Sequence, residues 1–347
     1  MILKTATWAL AAALAFSALA ETNAVQTVHE AVGYNSWPMI QAVGRRLVCA
    51  YSRGSAHSIG EGARGVWAKV SDDGGRTWSA ERLVANDSRW GEVTTGKGLD
   101  ESGAMLLWIR CWSSEEKHHD LYRTTDGVTF EKIATPALDP APMQITDVFR
   151  VPGRGLMALW FSAGYHYIKG GRKAWGTLAS ADNGRTWTAQ TVETDLKAED
   201  WPTEPSAAYL GDGRILVVAR SEGGVRYQFQ IVSEDSGRTW KKFRTNITDV
   251  AESTPSLVFD QANRRLYNYY YQRGARLLKC RTVSVDDIFA HPTAWPAPES
   301  LFEGHEERAY DAGNVNVTRL GDVHFAATYT GTTRDTAVIV VPVSRRP

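Results

Sequence analysis

The stretch that decides the fold is Ser71–Trp78, SDDGGRTW, because the same eight-residue pattern returns twice along the chain. Ser180–Trp187 reads SADNGRTW, Ser233–Trp240 reads SEDSGRTW, and Thr124–Phe130, TTDGVTF, is a shorter relative. A further, worn copy is predicted to begin at Ser284. Glycine allows the positive φ of a hairpin turn, and an aspartate can accept hydrogen bonds from the amides of its own turn. Each copy is therefore interpreted as a scaffold turn whose tryptophan covers the seam between strands.

The copies recur at a nearly constant spacing, which sets the predicted architecture. Their aspartates, Asp73, Asp126, Asp182 and Asp235, are 53, 56 and 53 residues apart. Short apolar or alternating runs lie between them, separated by Gly, Asp and Asn turns, with no sustained helical period. Four short strands form the unit of a β-propeller blade. Without the first 20 of its 347 residues the chain holds about six periods. We therefore predict an all-β fold, a single six-bladed β-propeller over residues 21–347.

The first 20 residues have the pattern of a secretory signal peptide. Lys4 supplies a positive start, Thr5–Ala15 is apolar, and Ala18–Ala20 fits a small-x-small cleavage site. The apolar run is shorter than the roughly 20 residues that a membrane-spanning helix needs. We therefore expect a secreted or periplasmic protein with no membrane span after cleavage.

Composition excludes several classes of protein. Lys and Arg total 39 and Asp and Glu total 39, and this zero net charge argues against a nucleic-acid binder. The three cysteines, Cys49, Cys111 and Cys280, are odd in number and far apart, so disulfides do not define the fold. No His, Cys or Asp cluster has metal-ligand spacing, and no phosphate-binding glycine loop precedes a helix. We therefore predict no metal and no cofactor, and we expect a monomer.

The repeated segment resembles the Asp-box, or BNR repeat, of the sialidase (neuraminidase) superfamily. That motif is Ser-x-Asp-x-Gly-x-Thr-Trp, and three copies in this chain match it at every fixed position. The resemblance implies a propeller over nearly all of the mature chain. It also implies a glycoside hydrolase that cleaves α-glycosidic bonds of sialic acid, or of a related nonulosonic acid, in glycans. The motif is stronger evidence for the fold than for the activity, because one scaffold hosts many functions.

Superposing the periods on one another predicts which residues share one mouth of the propeller. Ser36–Met39 and Thr203–Ser206 align through their prolines, and successive antiparallel strands bring strand starts and strand ends to the same rim. The residues gathered there are Glu92, Asp147, Glu204 and Asp311 with Arg53, Arg110, Arg220 and Arg273. Such a ring is interpreted either as a set of ion-pair clamps between blades or as a site for an anionic sugar.

The resemblance assigns roles to residues of this ring. Glu204 and Arg220, 16 residues apart, resemble the family's pairing of a central glutamate with the second of three carboxylate-binding arginines, and Arg273 is the candidate third. Tyr310 is placed as the nucleophile and Glu204 as its base, since a neutral tyrosine avoids repulsion from the sugar carboxylate. The remaining predicted substrate-binding residues are Arg53, Trp37 and Arg308.

Two features depart from the family pattern. The general acid is His57 or Glu61, where the family carries an aspartate, and Ser36 stands where most sialidases have the first arginine. That loss is similar to the phage endosialidases, which also lack parts of the exo-enzyme apparatus. The residues that match those enzymes in order are Trp37, His57, Glu204, Arg220 and Arg273. Exo and endo action both stay open.

Two other functions remain as alternatives. Tyr165, His166 and Tyr167 with Arg172 are the residue types with which a polysaccharide lyase could abstract the C5 proton of a uronic acid. A non-catalytic glycan-binding propeller would keep the aromatic and arginine residues but lack the acid. In every case the expected partner is a sialylated or other acidic glycan.

Overall fold

The structure is a computed structural model that describes residues 24–57, 64–113, 116–139, 141–162, 172–222, 224, 227–250, 253–305, 313–332 and 334–345. The predicted signal peptide, residues 1–20, lies outside these ranges. Within them the chain forms 24 β-strands and one short α-helix. The predicted all-β class is therefore confirmed.

The strands form four sheets of four strands and one sheet of eight strands. The first four-stranded sheet contains β2 (Tyr34–Val43), β3 (Arg46–Gly54), β4 (Gly65–Ser71) and β5 (Arg82–Ala85). The eight-stranded sheet contains β6 (Gly91–Leu99), β7 (Met105–Trp112), β8 (Lys117–Thr124), β9 (Glu131–Ala134), β10 (Gln144–Val151), β11 (Gly155–Phe161), β12 (Trp175–Ser180) and β13 (Thr188–Glu193). The next two sheets are β14 (Thr203–Gly211), β15 (Arg214–Arg220), β16 (Gln228–Ser233) and β17 (Lys241–Arg244), then β18 (Ser256–Asp260), β19 (Arg265–Gln272), β20 (Leu277–Ser284) and β21 (Glu299–Glu303). The last contains β22 (Asn316–Leu320), β23 (Val323–Gly331) and β24 (Thr336–Ser344), together with β1 (Gln26–Glu30).

The sheets have a propeller-like arrangement, and strands from the two ends of the chain pair with each other in the last sheet. β1 pairs antiparallel with β24, so the first strand of the chain completes the last sheet. Apolar clusters fill the spaces between neighbouring sheets; one of them joins Leu47 and Cys49 of β3 to Val338 and Val340 of β24. The eight-stranded sheet consists of two antiparallel meanders that meet at a single parallel pair, Val148 and Gly98.

The repeated box forms the turn that the sequence predicts. In the first copy Asp73 accepts hydrogen bonds from the Thr77 amide at 3.0 Å and from the Thr77 hydroxyl at 2.7 Å. The Ser71 hydroxyl donates to Asp73 and accepts from the Gly75 amide, both at 2.8 Å. Asp182 and Asp235 make the same threonine contacts in their copies. These aspartates are therefore part of the scaffold.

The boxes also pack against the neighbouring sheet. Gly127, in the shorter copy, has a φ of +70°, and a Cβ added there would lie 2.4 Å from a methyl of Val48. Trp187, the last residue of the second full copy, is buried and meets Trp108 edge to face at 5.4 Å between ring centroids. Trp187 therefore packs between the two meanders of the eight-stranded sheet, whereas the prediction placed the box tryptophan over the seam between neighbouring strands.

The predicted fifth copy at Ser284 is wrong. Ser284 instead caps the helix α1 (Val285–Ala290), because its hydroxyl accepts the Asp287 amide. The segment lacks the glycine that a box turn needs, and its acidic first turn favours a helix N-terminus. Cys49, Cys111 and Cys280 are free and buried. In the described part of the chain, no helix has the length and apolar character to cross a membrane.

Candidate functional site

Glu204 and Trp37 occupy equivalent, distorted positions at the starts of two inner strands. The pairing of β14 shifts register between Thr203 and Ser206, and the pairing of β2 shifts between Ser36 and Met39. Inside these bulges Glu204 has a φ of +46° and Trp37 a φ of +49°, and each precedes a proline. Positive φ at a non-glycine residue stores strain, and such strain clusters at functional sites.

Glu204 is the acceptor at the centre of a charged group. Its Oε2 atom accepts from Arg220 Nη1 at 3.2 Å and from the Thr254 hydroxyl at 2.7 Å. Burial raises the pKa of Glu204, but the attraction of Arg220, the Thr254 hydrogen bond and the charge of Arg273 outweigh it, and the pKa lies below its ordinary value. Glu204 is therefore a carboxylate at neutral pH.

The two predicted arginines differ in what holds them. Arg220 pairs with Glu204 and, through Nη2 at 2.9 Å, with Glu222. Arg273 begins a 3-10 turn after β19 and donates from Nη2 to Asn314 at 2.9 Å. Sequence reasoning missed Glu222, although its position two residues beyond Arg220 is a signal for an ion pair at a strand end. Arg220 thus lies between two carboxylates.

His57 and Trp37 belong to an aromatic group that sequence reasoning only partly found. Tyr34 Oη lies 2.9 Å from His57 Nδ1, within hydrogen-bond distance. The Trp37 ring centroid is 5.3 Å from that of His57 and 5.7 Å from that of Tyr34. Tyr329 meets Tyr34 at 5.9 Å. Tyr34 and Tyr329 are fully buried, so the group joins the first and last sheets around His57.

Arg64 adds a buried positive charge to this aromatic group. Its guanidinium lies 4.8 Å from the Trp37 ring centroid and 5.6 Å from the Tyr34 centroid. Nη1 is 3.5 Å from the Ser36 hydroxyl, and Nη2 donates to the carbonyl of Ala56. The side chain is only 2% exposed, and Nε has no hydrogen-bond partner. No carboxylate among the described residues acts on its charge.

The place of Arg64 bears on the arginine that Ser36 cannot supply. Burial, with the nearby charge of Arg110, lowers the pKa of Arg64 to about 10, so the group is still charged at neutral pH. A Cβ added at Gly54 would lie 2.8 Å from the guanidinium carbon, so this glycine makes room for it. Sequence reasoning missed Arg64 because it precedes β4, whereas the superposed periods compared only the inner strand and the next.

Other predicted residues lie elsewhere or outside the described ranges. Arg53 pairs with Glu81 at 2.8 Å and lies over Trp67, so its described contacts lend no support to a substrate role. Arg172 pairs with Asp195. Glu61, Arg308 and Tyr310 lie outside the described residues, as do Asp311, Tyr165, His166 and Tyr167.

Two acids expected at the mouth have other surroundings. Asp147 accepts from Ser206 at 2.5 Å and lines a cavity of about 340 Å³ with Lys97. Burial lowers the pKa of Lys97 to about 8 despite the charge of Asp147. Glu92 accepts a hydrogen bond from the Asp87 amide. Unlike Glu204, it does not lie inside a bulge, because the register shift of β6 falls between Thr94 and Gly96.

Comparison with solved structures identifies the class of fold. A Dyadobacter fermentans protein of unknown function matches with a TM-score of 0.72 and 15% identity, over 93% of this chain and 99% of that one. The Trypanosoma rangeli sialidase matches with a TM-score of 0.64 and 13% identity, over 90% of this chain but only 55% of its own length. A variant of the NanB sialidase from Streptococcus pneumoniae matches with a TM-score of 0.70 and 11% identity, over 92% of this chain and 70% of that one. The fold is sialidase-like.

A sequence comparison identifies the family of the chain. Residues 44–278, more than half of the chain, match the BNR repeat-like domain, and the chain belongs to that family. The resemblance to the sialidase superfamily with BNR repeats is thereby confirmed. No curated protein matches the chain in sequence.

Proposed function

We propose that this protein is a glycoside hydrolase of the sialidase type, which cleaves α-glycosidic bonds of sialic acid or a related nonulosonic acid in glycans. The observation that carries the proposal is the strained, ionised Glu204, held between Arg220 and Thr254 with Arg273 nearby. A sialidase-like fold and a glutamate set as a base at an inner-strand bulge support the same chemistry.

Arg64 supports recognition of an acidic sugar. A buried guanidinium presents a rigid set of donors that suits a carboxylate. Arg64 has no carboxylate partner among the described residues, whereas Arg220 has two. We therefore assign the sugar carboxylate to Arg64 with Arg273, and we assign to Arg220 the task of keeping Glu204 ionised.

The proposed reaction uses Glu204 as a base. Its carboxylate accepts the phenolic proton of Tyr310, the nucleophile implied by the family resemblance, while the tyrosyl oxygen bonds to the anomeric carbon and the glycosidic C–O bond breaks. The departing oxygen takes a proton from His57 or Glu61. Water then attacks the anomeric carbon and gives one proton back to the His57 or Glu61 that protonated the departing oxygen, while the tyrosyl oxygen leaves and recovers its proton from Glu204. The support for this scheme is the ionised state of Glu204.

We assign the role of proton donor to His57 as the resemblance implies. In the imidazolium both ring nitrogens donate, so Tyr34 Oη, 2.9 Å from Nδ1, would accept from that nitrogen and hold the ring in place. The Trp37 ring beside His57 offers an apolar face on which a sugar ring can stack.

A non-catalytic glycan-binding protein is the second candidate. The observation that favours it is the double pairing of Arg220 with Glu204 and Glu222, since an arginine so neutralised binds a ligand carboxylate weakly. Such a protein would bind acidic glycans through Arg64 and Trp37 without cleaving them.

One set of assays separates these functions. The protein is incubated with an aryl α-sialoside, polysialic acid and a uronate polymer, while free sugar and the ultraviolet absorbance of an unsaturated uronate are followed. Release of sialic acid that is abolished in Glu204→Gln supports the proposal, and product size distinguishes exo from endo action. An unsaturated product without sialic acid supports a lyase, and binding without any product supports the glycan-binding protein.

Two further proposals concern the whole chain. We propose that the eight-stranded sheet counts as two blades, giving six, because its two meanders share only one parallel pair; an experimental structure tests this count.

We also propose that residues 1–20 direct secretion. A secreted protein beginning at Glu21 on N-terminal sequencing supports this, and a retained Met1 contradicts it.

A further inference from the structure

A cysteine, a histidine and an aspartate, none of them a contact of Glu204, converge on the paired strands β7 and β8. Cys111 of β7 lies opposite His118 of β8, and Asp120 follows two residues later on the same face of β8. One ligand atom from each of the three side chains lies within 4.8 Å of the other two. Thiolate, imidazole and carboxylate are together the donor types that Zn²⁺ takes in proteins.

The separations of these atoms are close to those between the ligands of a tetrahedral ion. With metal bonds of about 2.3 Å to sulfur and about 2.0–2.1 Å to nitrogen and oxygen, neighbouring ligand atoms of a tetrahedral Zn²⁺ are roughly 3.3–3.6 Å apart. Cys111 Sγ is 3.7 Å from Asp120 Oδ2, and His118 Nε2 is 3.6 Å from the other carboxylate oxygen, Oδ1. The three ligand atoms lie within 4.8 Å of one another, so an ion would draw them together by about 1 Å or less.

The surroundings supply what a metal site needs beyond its ligands. The Thr135 hydroxyl donates to Asp120 Oδ1 at 2.5 Å and so orients the carboxylate. Trp90 packs edge to face on His118 at 4.7 Å between ring centroids and limits the ring's movement. Glu92 of β6 lies opposite Cys111 and is 4% exposed, which places a second carboxylate beside the group.

A lysine pairs with the aspartate of this Cys–His–Asp group. Lys132 Nζ lies 3.4 Å from Asp120 Oδ2, and the lysine side chain is 50% exposed, whereas that of Asp120 is 7% exposed. A long side chain half in water can swing out at little energetic cost. His118, with 29% of its side chain exposed, gives an ion a route from solvent.

We propose that Cys111, His118 and Asp120 form a Zn²⁺ site, with Glu92 or a water molecule as the fourth ligand. Binding converts the Cys111 thiol to a thiolate and releases its proton to solvent, while Lys132 leaves Asp120. The site links β7 and β8, and through Glu92 also β6, within the meander β6–β9. The inference is independent of the proposed glycosidase activity.

The test uses the full-length mature protein without an affinity tag, stripped with a chelator and kept reduced with a phosphine. Zn²⁺ is titrated against a chromophoric chelator, and the bound metal is counted after dialysis. We expect one equivalent bound and a higher melting temperature with Zn²⁺. Co²⁺ in its place should give a thiolate-to-cobalt charge-transfer band and the visible bands of a tetrahedral ion.

Variants separate the site from ordinary ion pairing. Cys111→Ser and His118→Ala should each weaken Zn²⁺ binding at least about tenfold, and Cys111→Ser should remove the charge-transfer band. Cys280→Ser is the matched control, since Cys280 is equally buried at 1% exposure but donates to a backbone carbonyl. Lys132→Ala should tighten binding, because it removes the competing cation. The proposal is overturned if no metal is retained, or if folded Cys111→Ser and His118→Ala bind Zn²⁺ as the unsubstituted protein does.

Discussion

Arg64→Met separates the role of Arg64 in the proposed substrate site from any role in stability. Methionine keeps an unbranched side chain against the rings of Trp37 and Tyr34 but removes the charge. If Arg64 binds the sugar carboxylate, the variant loses a charge-assisted pair in a buried setting, worth about 3–4 kcal/mol. Since each 1.4 kcal/mol is a factor of ten, kcat/KM for an acidic sugar should fall roughly 10²- to 10³-fold.

The same change should leave the protein as stable as before, or more stable. Burial lowers the pKa of Arg64 from its ordinary value to about 10, which corresponds to about 3 kcal/mol against the charged folded form. Both the folded and the unfolded chain carry this charge at pH 7, so the full penalty applies there and disappears only as the pH rises above about 10. The bonds to Ser36 and Ala56 offset part of it. We therefore expect the free energy of unfolding of Arg64→Met to be unchanged or higher.

The assay pairs sialoside hydrolysis with urea unfolding of the same preparations. Arg53→Met is the matched control: Arg53 also lies over a tryptophan ring, at 5.1 Å, but pairs with Glu81. Its activity should stay within a few-fold of the unsubstituted protein, and it should lose about 1 kcal/mol or less of stability. An Arg64→Met protein that keeps full activity, or one that loses activity only because it unfolds, would refute the reasoning.

Three further outcomes follow from the structure. Because the pKa of Glu204 is held below its ordinary value, activity should be lost only as the pH falls through that lowered pKa. Glu204→Gln should lower kcat at least about 100-fold and should also lower the melting temperature, because the variant loses the ion pair with Arg220; a variant folded at the assay temperature that keeps most of its kcat would remove Glu204 from the role of base. Gly127 has φ +70°, and a Cβ there would lie 2.4 Å from a neighbouring methyl, so Gly127→Ala should lower the free energy of unfolding in urea by about 2–4 kcal/mol. Gly103 has φ +83° but open space around it, so Gly103→Ala should lower the same free energy by about 1 kcal/mol. Equal losses in the two variants would contradict the packing argument. Asp73→Ala removes three hydrogen bonds within its own turn and should lower the free energy of unfolding by about 1–2 kcal/mol at neutral pH. This difference from the unsubstituted protein should shrink as the pH falls through the lowered pKa of Asp73. A difference that does not change with pH would show that the charge of Asp73 is irrelevant.

The scaffold could be predicted because its signals are local. Asp73 and Gly75 form their turn within one octapeptide, so a repeat of that octapeptide fixes the place of a hairpin in each sheet. The alignment of Pro38 with Pro205 was similarly informative, because the preceding residues, Trp37 and Glu204, share one bulge geometry. Ser284 misled because serine and aspartate near a strand end serve a helix cap as well as a turn.

The site could be predicted only where it follows the repeat. Arg64 comes from the segment before β4, and its relation to Ser36 depends on how that segment packs back over β2 and β3. Cys111, His118 and Asp120 have no metal-ligand spacing in sequence, because their convergence depends on the register of two antiparallel strands. Arg53 was grouped with the mouth by its position at a strand end, yet its side chain reaches Glu81 beside the outer strand. Side-chain direction, which a repeat does not encode, decided these cases.

The arginines near Glu204 and Trp37 differ in the groups that neutralise their charge, and this difference sets the role of each in the proposed site. Arg220 lies between Glu204 and Glu222, so its charge serves to keep Glu204 ionised. Arg64 is buried beside aromatic rings without a carboxylate among the described residues, so its charge opposes folding. Under the proposed function, the carboxylate of an acidic sugar would pair with Arg64 on binding and offset this penalty. The zero net charge of the chain is compatible with this arrangement, since affinity for an acidic sugar requires only a local excess of positive charge.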